Sequence, residues 1–541
     1  MYYFSPCPLP ADESVVSAWD SELRRIKTPW IERLLAEQGQ ELFQRFTASY
    51  NELRALPRNA RRALQRKLAR SEDGTIPAEW RRRLAYSIAG AALLVALGQT
   101  MAEAAAPKVS TIKVSAKCTL YNAINAAYYA NVINQPFNKK TAYYYGFYYH
   151  GCKAAPGPNA IILPKTAYTL QYPAIIRSPI IIQGAKPKKP KKGQPFIPGT
   201  GGTLHAPAGS AAFYVYYGAS LSLYNVTITG GATSGYGGVI YNGNGASTSL
   251  NISAISGASA FRGGGIFNSG NLTITGSKIS GNTASYGGGI YNYGNLSVSS
   301  ATVLGTVVVS STITGNHADY HGGGIYNSYS ATISNSTISD NTAARNGGGT
   351  ANSASGTLSI TSSTLTGNDA DKGGALHNAY NLAVTSSTIS NSTAHYGGGL
   401  YNYSGTYATL TGSTVSGNQA TIFQYTPNIQ TYYYGGKGGG INNHGGLTLN
   451  SSTITGNTAQ GKKVVYSDQT SYYGGKGGGI YNAGNIDYID NTNQITTNHA
   501  NYYGGGLFNY EATGTYAGVA TGVITGNTAP TGPDIFPLPP P

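Results

Sequence analysis

The chain has 541 residues with 36 Lys+Arg against 21 Asp+Glu, a formal net charge of +15, and it is rich in Gly (73) and Tyr (44). Its Gly/Ser/Asn-rich part alone implies disorder, but Ile, Val, Leu and Tyr recur there at regular intervals, which excludes it. The positive balance admits an anionic glycan, a cell surface or a nucleic acid; no nucleic-acid module accompanies it, so nucleic acid is the disfavoured partner.

Residues 1–83 hold all three Trp and form a basic, amphipathic leader. Helices are expected over Ser14–Gln38, Glu41–Leu56 and Asn59–Ala69, with Trp19, Leu23, Ile26, Trp30, Leu34 and Leu35 at helical spacing. Residues 84–106 have the layout of a secretory signal: Arg81-Arg82-Arg83 ahead, an apolar run Leu84–Leu97, then small residues with cleavage after Ala104 or Ala106. The run is short for a spanning helix, so the membrane is met only during export, and the protein is expected to be secreted or at the cell surface. The upstream leader is either a removed extension, a start placed too early, or a domain retained on a signal anchor.

Residues 107–160 read as an N-terminal cap. Thr119–Val132 is expected to be a helix with Leu120, Ile124, Ala127 and Val132 on its inner face. Cys118 and Cys152 both follow the cleavage site, where a disulfide between them survives; two unpaired thiols are the alternative. Cys7 lies in the leader. Next comes a Pro-rich loop, Ala185–Pro198, that carries Lys186, Lys188, Lys189, Lys191 and Lys192.

Residues 161–529 repeat. One element reads Ser-Thr-Ile-(Thr/Ser)-(Gly/Asp)-Asn, as at Ile313–Asn316, Ile338–Asn341 and Ile454–Asn457. The other reads Gly-Gly-Gly-(Ile/Leu)-(Tyr/Phe)-Asn and, counting looser copies, ends at Asn242, Asn268, Asn292, Asn327, Asn352, Asn378, Asn402, Asn443, Asn482 and Asn509. Without insertions the period is 24–27 residues. Each repeat holds short runs of period-two alternation broken by Gly and Asn, so each is a set of strands and turns. A single strand cannot bury its apolar face, and a propeller blade needs about 40 residues. The expected fold is therefore all-β: a right-handed single-stranded parallel β-helix of about 12–13 rungs. In it Ile313, Ile338 and Leu365 stack in one inward row, and Ile325, Leu376 and Leu400 in another. Residues 530–541 form a Pro-rich tail that cannot extend a sheet.

These repeats resemble those of the chlamydial polymorphic outer-membrane proteins, bacterial parallel β-helix proteins that alternate a Gly-Gly-(Ala/Gly)-aliphatic motif with an aromatic or aliphatic residue followed by Asn. Gly287–Ile290 and Ile313–Asn316 carry that pattern, Gly532-Pro533-Asp534-Ile535 looks like its closing phrase, and Cys118–Ile124 is similar to the Cys-Ser-Leu-Arg-Glu-Ala element after the signal of secreted members. Tyr121 and Asn122 depart from that element. The resemblance covers about residues 110–535 and implies fold and export; adhesins, passengers and polysaccharide enzymes share the fold. Self-transporting members continue into a membrane barrel, whereas this sequence ends at Pro541, so release or non-covalent attachment is the expectation.

Chemistry is sparse. Between Glu103 and Asp319 the sequence has no acidic residue. Calcium-dependent lyases on such a fold need clustered aspartates, and hydrolases need paired carboxylates. Asp340, Asp369 and Asp371 sit near turns and read as solvated; Asp487 and Asp490 read as one outward and one cap-forming residue. His317, Asp319 and His321 form a weak metal candidate. Gly435–Gly440 and Gly474–Gly479 lack the phosphate-loop pattern, so no cofactor is expected.

Tyrosine is more informative. Tyr236, Tyr286, Tyr396, Tyr434, Tyr473 and Tyr503 precede the glycine run, and Tyr241, Phe267, Tyr291, Tyr326, Tyr401, Tyr481 and Phe508 follow the buried aliphatic as an aromatic ladder. The ladder is either internal stacking or a stripe for sugar binding or self-association. Two insertions, from Asn418 to Gly435 and from Asn457 to Gly474, share one coil position, and Tyr432, Tyr433, Tyr434, Lys437, Tyr472, Tyr473 and Lys476 are their candidate binding residues. The function expected is non-enzymatic, as an adhesin, matrix or glycan-binding element; the alternatives are a polysaccharide lyase or hydrolase, or a self-assembling filament subunit.

Overall fold

The computed structural model describes residues 110–144, 151–187, 190, 194, 196–305, 307–426, 431–465, 469–489, 491–510, 515–516 and 523–536, together with Phe46, Tyr50 and Gln65, which are helical. The signal layout, the cleavage site and the rest of the leader lie outside these residues, as do Cys7, Lys188, Lys189, Lys191, Lys192, Asp468, Asp490 and Glu511. Residues 1–109 and 110–541 are separate compact units.

The second unit is a right-handed parallel β-helix. One rung is Asn271–Thr275, Lys278–Ser280, Thr283–Tyr286 and Ile290–Asn292, and each segment pairs in parallel with its counterpart in the next rung. Stacking the rungs builds four sheets, numbered here in chain order, of 14, 13, 9 and 13 strands. Register follows apolar identity. Ile279, Ile313, Ile338, Leu365, Ile389 and Val415 pair successively in sheet 2, all buried. In sheet 4 the row runs Ile325, Thr350, Leu376, Leu400. Each aliphatic side chain of these rows contributes about 1.5–3 kcal/mol when fully buried, Thr350 being the polar interruption, and a one-residue slip would turn the whole row to solvent.

The corners are held by polar ladders. From Asn242 to Asn509, the Nδ2 of each sheet-4 asparagine donates to Oδ1 of the next at 2.7–2.9 Å. A second ladder joins Asn282, Asn316, Asn341 and Asn368 at 2.9–3.0 Å, passes Ser392, and resumes through Asn418, Asn457, Asn498 and Asn527. Buried amides need partners, and stacking like on like supplies them. The glycine run is steric: a Cβ at Gly288 would overlap the carbonyl oxygens of His317 and Gly323, and Gly287 sits at φ 65°.

Both ends depart from the boundaries expected. Ser110–Lys113 and Asn159–Ile162 already belong to sheet 1, so the cap segment itself supplies the first strands. At the other end the tail is no mere stop. Ile535–Phe536 pairs with Leu507 and Phe508 as the last strand of sheet 4. Gly532-Pro533-Asp534 stands in the glycine-run position, where the Pro533 carbonyl accepts from Gly506 and a missing N–H costs no ladder bond. Asp534 Oδ1 then accepts from both the N and Nδ2 of Asn527 at 3.0 Å and closes the second ladder. The capping helix α1 is Leu120–Ile133, with Thr119 as its N-cap accepting from Asn122 N at 3.2 Å. Its buried face is Leu120, Ala123, Ile124, Ala126, Ala127 and Ala130; Val132 is 58% exposed, on nearly the opposite side of the helix. The Cys118–Cys152 disulfide closes at the start of α1.

Candidate functional site

Two columns of side chains run side by side along the sheet-3/sheet-4 corner. The ladder column stacks Tyr241 on Phe267, Phe267 on Tyr291 and Tyr291 on Tyr326 at 4.9–5.4 Å, and near the C-terminus Tyr481 on Phe508 and Phe508 on Phe536 at 5.2–5.5 Å. The pre-glycine column aligns Tyr236, Arg262, Tyr286, His321, Asn346, Lys372, Tyr396, Lys437, Lys476 and Tyr503 by register. Each cation of this column lies over the ladder ring of the following rung: Arg262 over Tyr291 at 5.3 Å, Lys372 over Tyr401 at 5.6 Å, Lys437 over Tyr481 and Lys476 over Phe508 at 5.2 Å. Such contacts contribute from ~0.5 to ~2 kcal/mol as burial increases.

Two rungs lack a ladder ring, at Ala351 and Asn442, and an imidazole stands beside each. His444 lies 5.4 Å from Tyr401 and 6.2 Å from Tyr481, and His321 stacks on Tyr326 at 6.3 Å. His377, in the ladder itself, lies flat on Tyr401 at 5.4 Å. Burial pushes His377 down to about 3, helped by the charges of His321 and Lys372, and lowers His321 and His444 too. Burial raises Tyr401 and Tyr481 to about 12 and lowers Lys437 and Lys476. Phe267, Tyr291, Tyr401, Tyr481 and Phe508 are all under 9% exposed. These five rings are covered by rings and cations of adjacent rungs, whereas Tyr241 and Tyr326 are half-buried.

The described residues of each insertion pair as a hairpin. Ile422–Tyr425 pairs antiparallel with Tyr432–Gly435, and Gly461–Val465 with Thr470–Gly474. Opposed residues share a face. One face of the first hairpin thus presents Phe423, Tyr425, Tyr432 and Tyr434, at 46, 52, 38 and 48% exposure. Its other face turns Tyr433 to Tyr473 of the second hairpin at 5.4 Å, with Lys462 Nζ 6.0 Å from the Tyr433 ring. The second hairpin in turn rests Tyr472 on Tyr502 at 4.9 Å and Lys463 5.8 Å from Tyr472. Phe423 meets His395 of the preceding rung at 5.3 Å, and Gly435 N donates to the Tyr396 hydroxyl at 3.2 Å.

The predicted binding residues are accordingly split. Tyr432 and Tyr434 face water, Tyr433 and Tyr473 join hairpin to hairpin, Tyr472 touches Tyr502 while 45% exposed, and Lys437 and Lys476 belong to the rod. Tyr434 and Tyr473 are not in the pre-glycine column, because the extra Gly-Gly before Lys437 and Lys476 ends each hairpin and hands that register to the lysine. The metal candidate does not assemble. His317 Nε2 is 3.6 Å from Asp319 Oδ1, but His321 turns into the ring column, and no group of three metal-ligating residues converges among the described residues. The sequence reading overlooked a third tyrosine set: Tyr216, Tyr293, Tyr329, Tyr380, Tyr403 and Tyr510, one or two residues past the sheet-4 turn, are 44–59% exposed. Its signal was present in Tyr-Asn-Tyr and Tyr-Asn-Ser-Tyr.

The fold and site together define a class, a right-handed parallel β-helix with covered aromatic columns and lateral tyrosine-rich hairpins. Comparison with protein-family models, curated proteins and solved structures finds no match for this chain.

Proposed function

We propose that this is a secreted or surface-associated, non-enzymatic β-helix that binds glycan as an adhesin or matrix element. The observation that carries the reading is the set of four exposed rings gathered on one face of the first hairpin, beside a rod whose ladder rings stack on one another. Exposed aromatic clusters of this kind mark contact surfaces, and aromatic faces pair with the C–H faces of sugars. The signal layout and the Cys118–Cys152 bridge support an extracellular setting. Among the described residues no helix is long and apolar enough to cross a membrane. Deleting residues 421–432 and 462–472 together is expected to abolish retention on glycans or cells while the circular-dichroism spectrum and cooperative unfolding persist; unchanged retention would refute the reading.

A second reading, a polysaccharide hydrolase, has one observation in its favour. Asp369 and Asp371 lie two residues apart on one strand of sheet 3, close to the hairpin, and burial raises the Asp369 carboxyl despite His395 nearby. New reducing ends on incubation with polysaccharide, lost in Asp369→Asn, would establish it.

A further inference from the structure

We infer that the first hairpin's outer face and the sheet-3 edge beside it form a shelf for a neutral polysaccharide, with pyranose rings lying on Phe423, Tyr425, Tyr432 and Tyr434. The proposal rests on the glycan reading above and narrows it to one face and one class of sugar.

An antiparallel hairpin of two strands is marginal in water by itself. This one is fastened from beneath by Tyr433 on Tyr473 and at its base by the Gly435–Tyr396 hydrogen bond. Its four outer rings contribute little to that fastening, and each remains 38–52% exposed. Cross-strand pairing sets Phe423 against Tyr434 and Tyr425 against Tyr432, and Tyr432 and Tyr434 lie within 19° of coplanar orientation, their centroids 6.4 Å apart. The result is a flat apolar plate. Three of the four rings carry hydroxyls, which suits a partner whose rim is polar rather than an aliphatic surface.

Where the plate meets the rod, the wall is the edge of sheet 3. Asp369–Lys372 and Thr393–Tyr396 are the two rungs below the hairpin, in register with each other, and the His395–Phe423 contact marks the inner corner. Asp371 acts electrostatically on Tyr396, as does Tyr434, which places the three at one locus. Carboxylates there accept hydrogen bonds from sugar hydroxyls and repel uronates. The ammonium groups nearby are engaged elsewhere: Lys372 lies over Tyr401, Lys437 and Lys476 lie over Tyr481 and Phe508, and Lys462 lies beneath the hairpin. Despite the overall charge of +15, the shelf therefore selects an uncharged polymer.

The test is native affinity electrophoresis of the full chain in gels containing neutral β-glucan, xylan or mannan, or polygalacturonate or alginate. Retardation by a neutral polymer is expected, weakened at least tenfold in Tyr432→Ala/Tyr434→Ala and severalfold in Asp371→Asn, with Tyr472→Ala within twofold of the parent. Retardation by polyuronates alone, or stronger binding in Asp371→Asn, overturns the proposal. So does a Tyr432→Ala/Tyr434→Ala protein that binds like the parent while the double hairpin deletion does not, an outcome that keeps the hairpins as the glycan site and moves it off this face. A dimer in sedimentation that dissociates in the same variant makes a second copy the occupant and overturns it too. If no glycan retards the parent, the proposal and the reading beneath it fall together.

Discussion

The same residue type serves opposite ends in two regions of this molecule. In the rod, Phe267, Tyr291 and Tyr481 are sandwiched between rings and cations of adjacent rungs and are nearly inaccessible. In the first hairpin, Tyr425, Tyr432 and Tyr434 stand half in water. The difference is one of neighbours: a ladder ring has a copy of the repeat on both sides, whereas the outer face of the first hairpin has nothing repeated above it. Stacking within the ladder covers its rings, while the first hairpin and the tyrosines past the sheet-4 turn keep theirs available.

That contrast can be broken or sharpened by measurement. The largest effect is expected in the inward rows: Ile338→Ala should cost about 2–5 kcal/mol by urea denaturation, since the cavity lies between Ile313 and Leu365. Removing the Cys118–Cys152 bridge by Cys118→Ser/Cys152→Ser should cost about 2–4 kcal/mol and loosen α1 first, as read by amide exchange over 120–133. Asn327→Ala should cost roughly 1–3 kcal/mol, because Asn352 Oδ1 loses the Asn327 donor and Asn292 Nδ2 loses one of its three acceptors.

Acid should come next. His377 is buried neutral with its value lowered from 6.5 to about 3, so the unfolded chain takes up a proton that the folded one refuses. Stability is whole above pH 6.5 and falls by up to roughly 1.4 kcal/mol per pH unit below it, toward pH 3. His377→Phe should flatten that slope in denaturation series from pH 7 to 4. At the alkaline end the sign reverses: Tyr401 and Tyr481, raised from 10.0 to about 12, hold stability below pH 10 that is lost as pH rises between the two values. The smallest effect belongs to the hairpin plate. Tyr432→Ala/Tyr434→Ala should move the denaturation midpoint by no more than about 0.5 kcal/mol equivalent, and a larger shift would show that these rings serve folding rather than contact.

Much of this was legible beforehand. The apolar alternation, broken by Asn and Gly at fixed turn positions, named the coil and its inward rows, and the chain's own period set the rung. The sites were less legible, because exposure is not a local property. Tyr291 and Tyr434 each lie in a Tyr/Gly-rich stretch, yet one is 8% and the other 48% exposed. Val132 was assigned inward by spacing that drifted off the helical face, and the tail's Ile535–Phe536 was masked by its prolines.

By itself, then, the sequence determined which residues repeat and hence which must stack, since side chains 24–27 residues apart can be satisfied only by their own copies. What the tertiary structure alone decided is where that stacking stops. The one-rung offset that seats Lys437 and Lys476 over Tyr481 and Phe508, and the folding of two insertions into hairpins of which only the first gathers four exposed rings on one face, depend on register between neighbouring rungs. No single repeat contains that information.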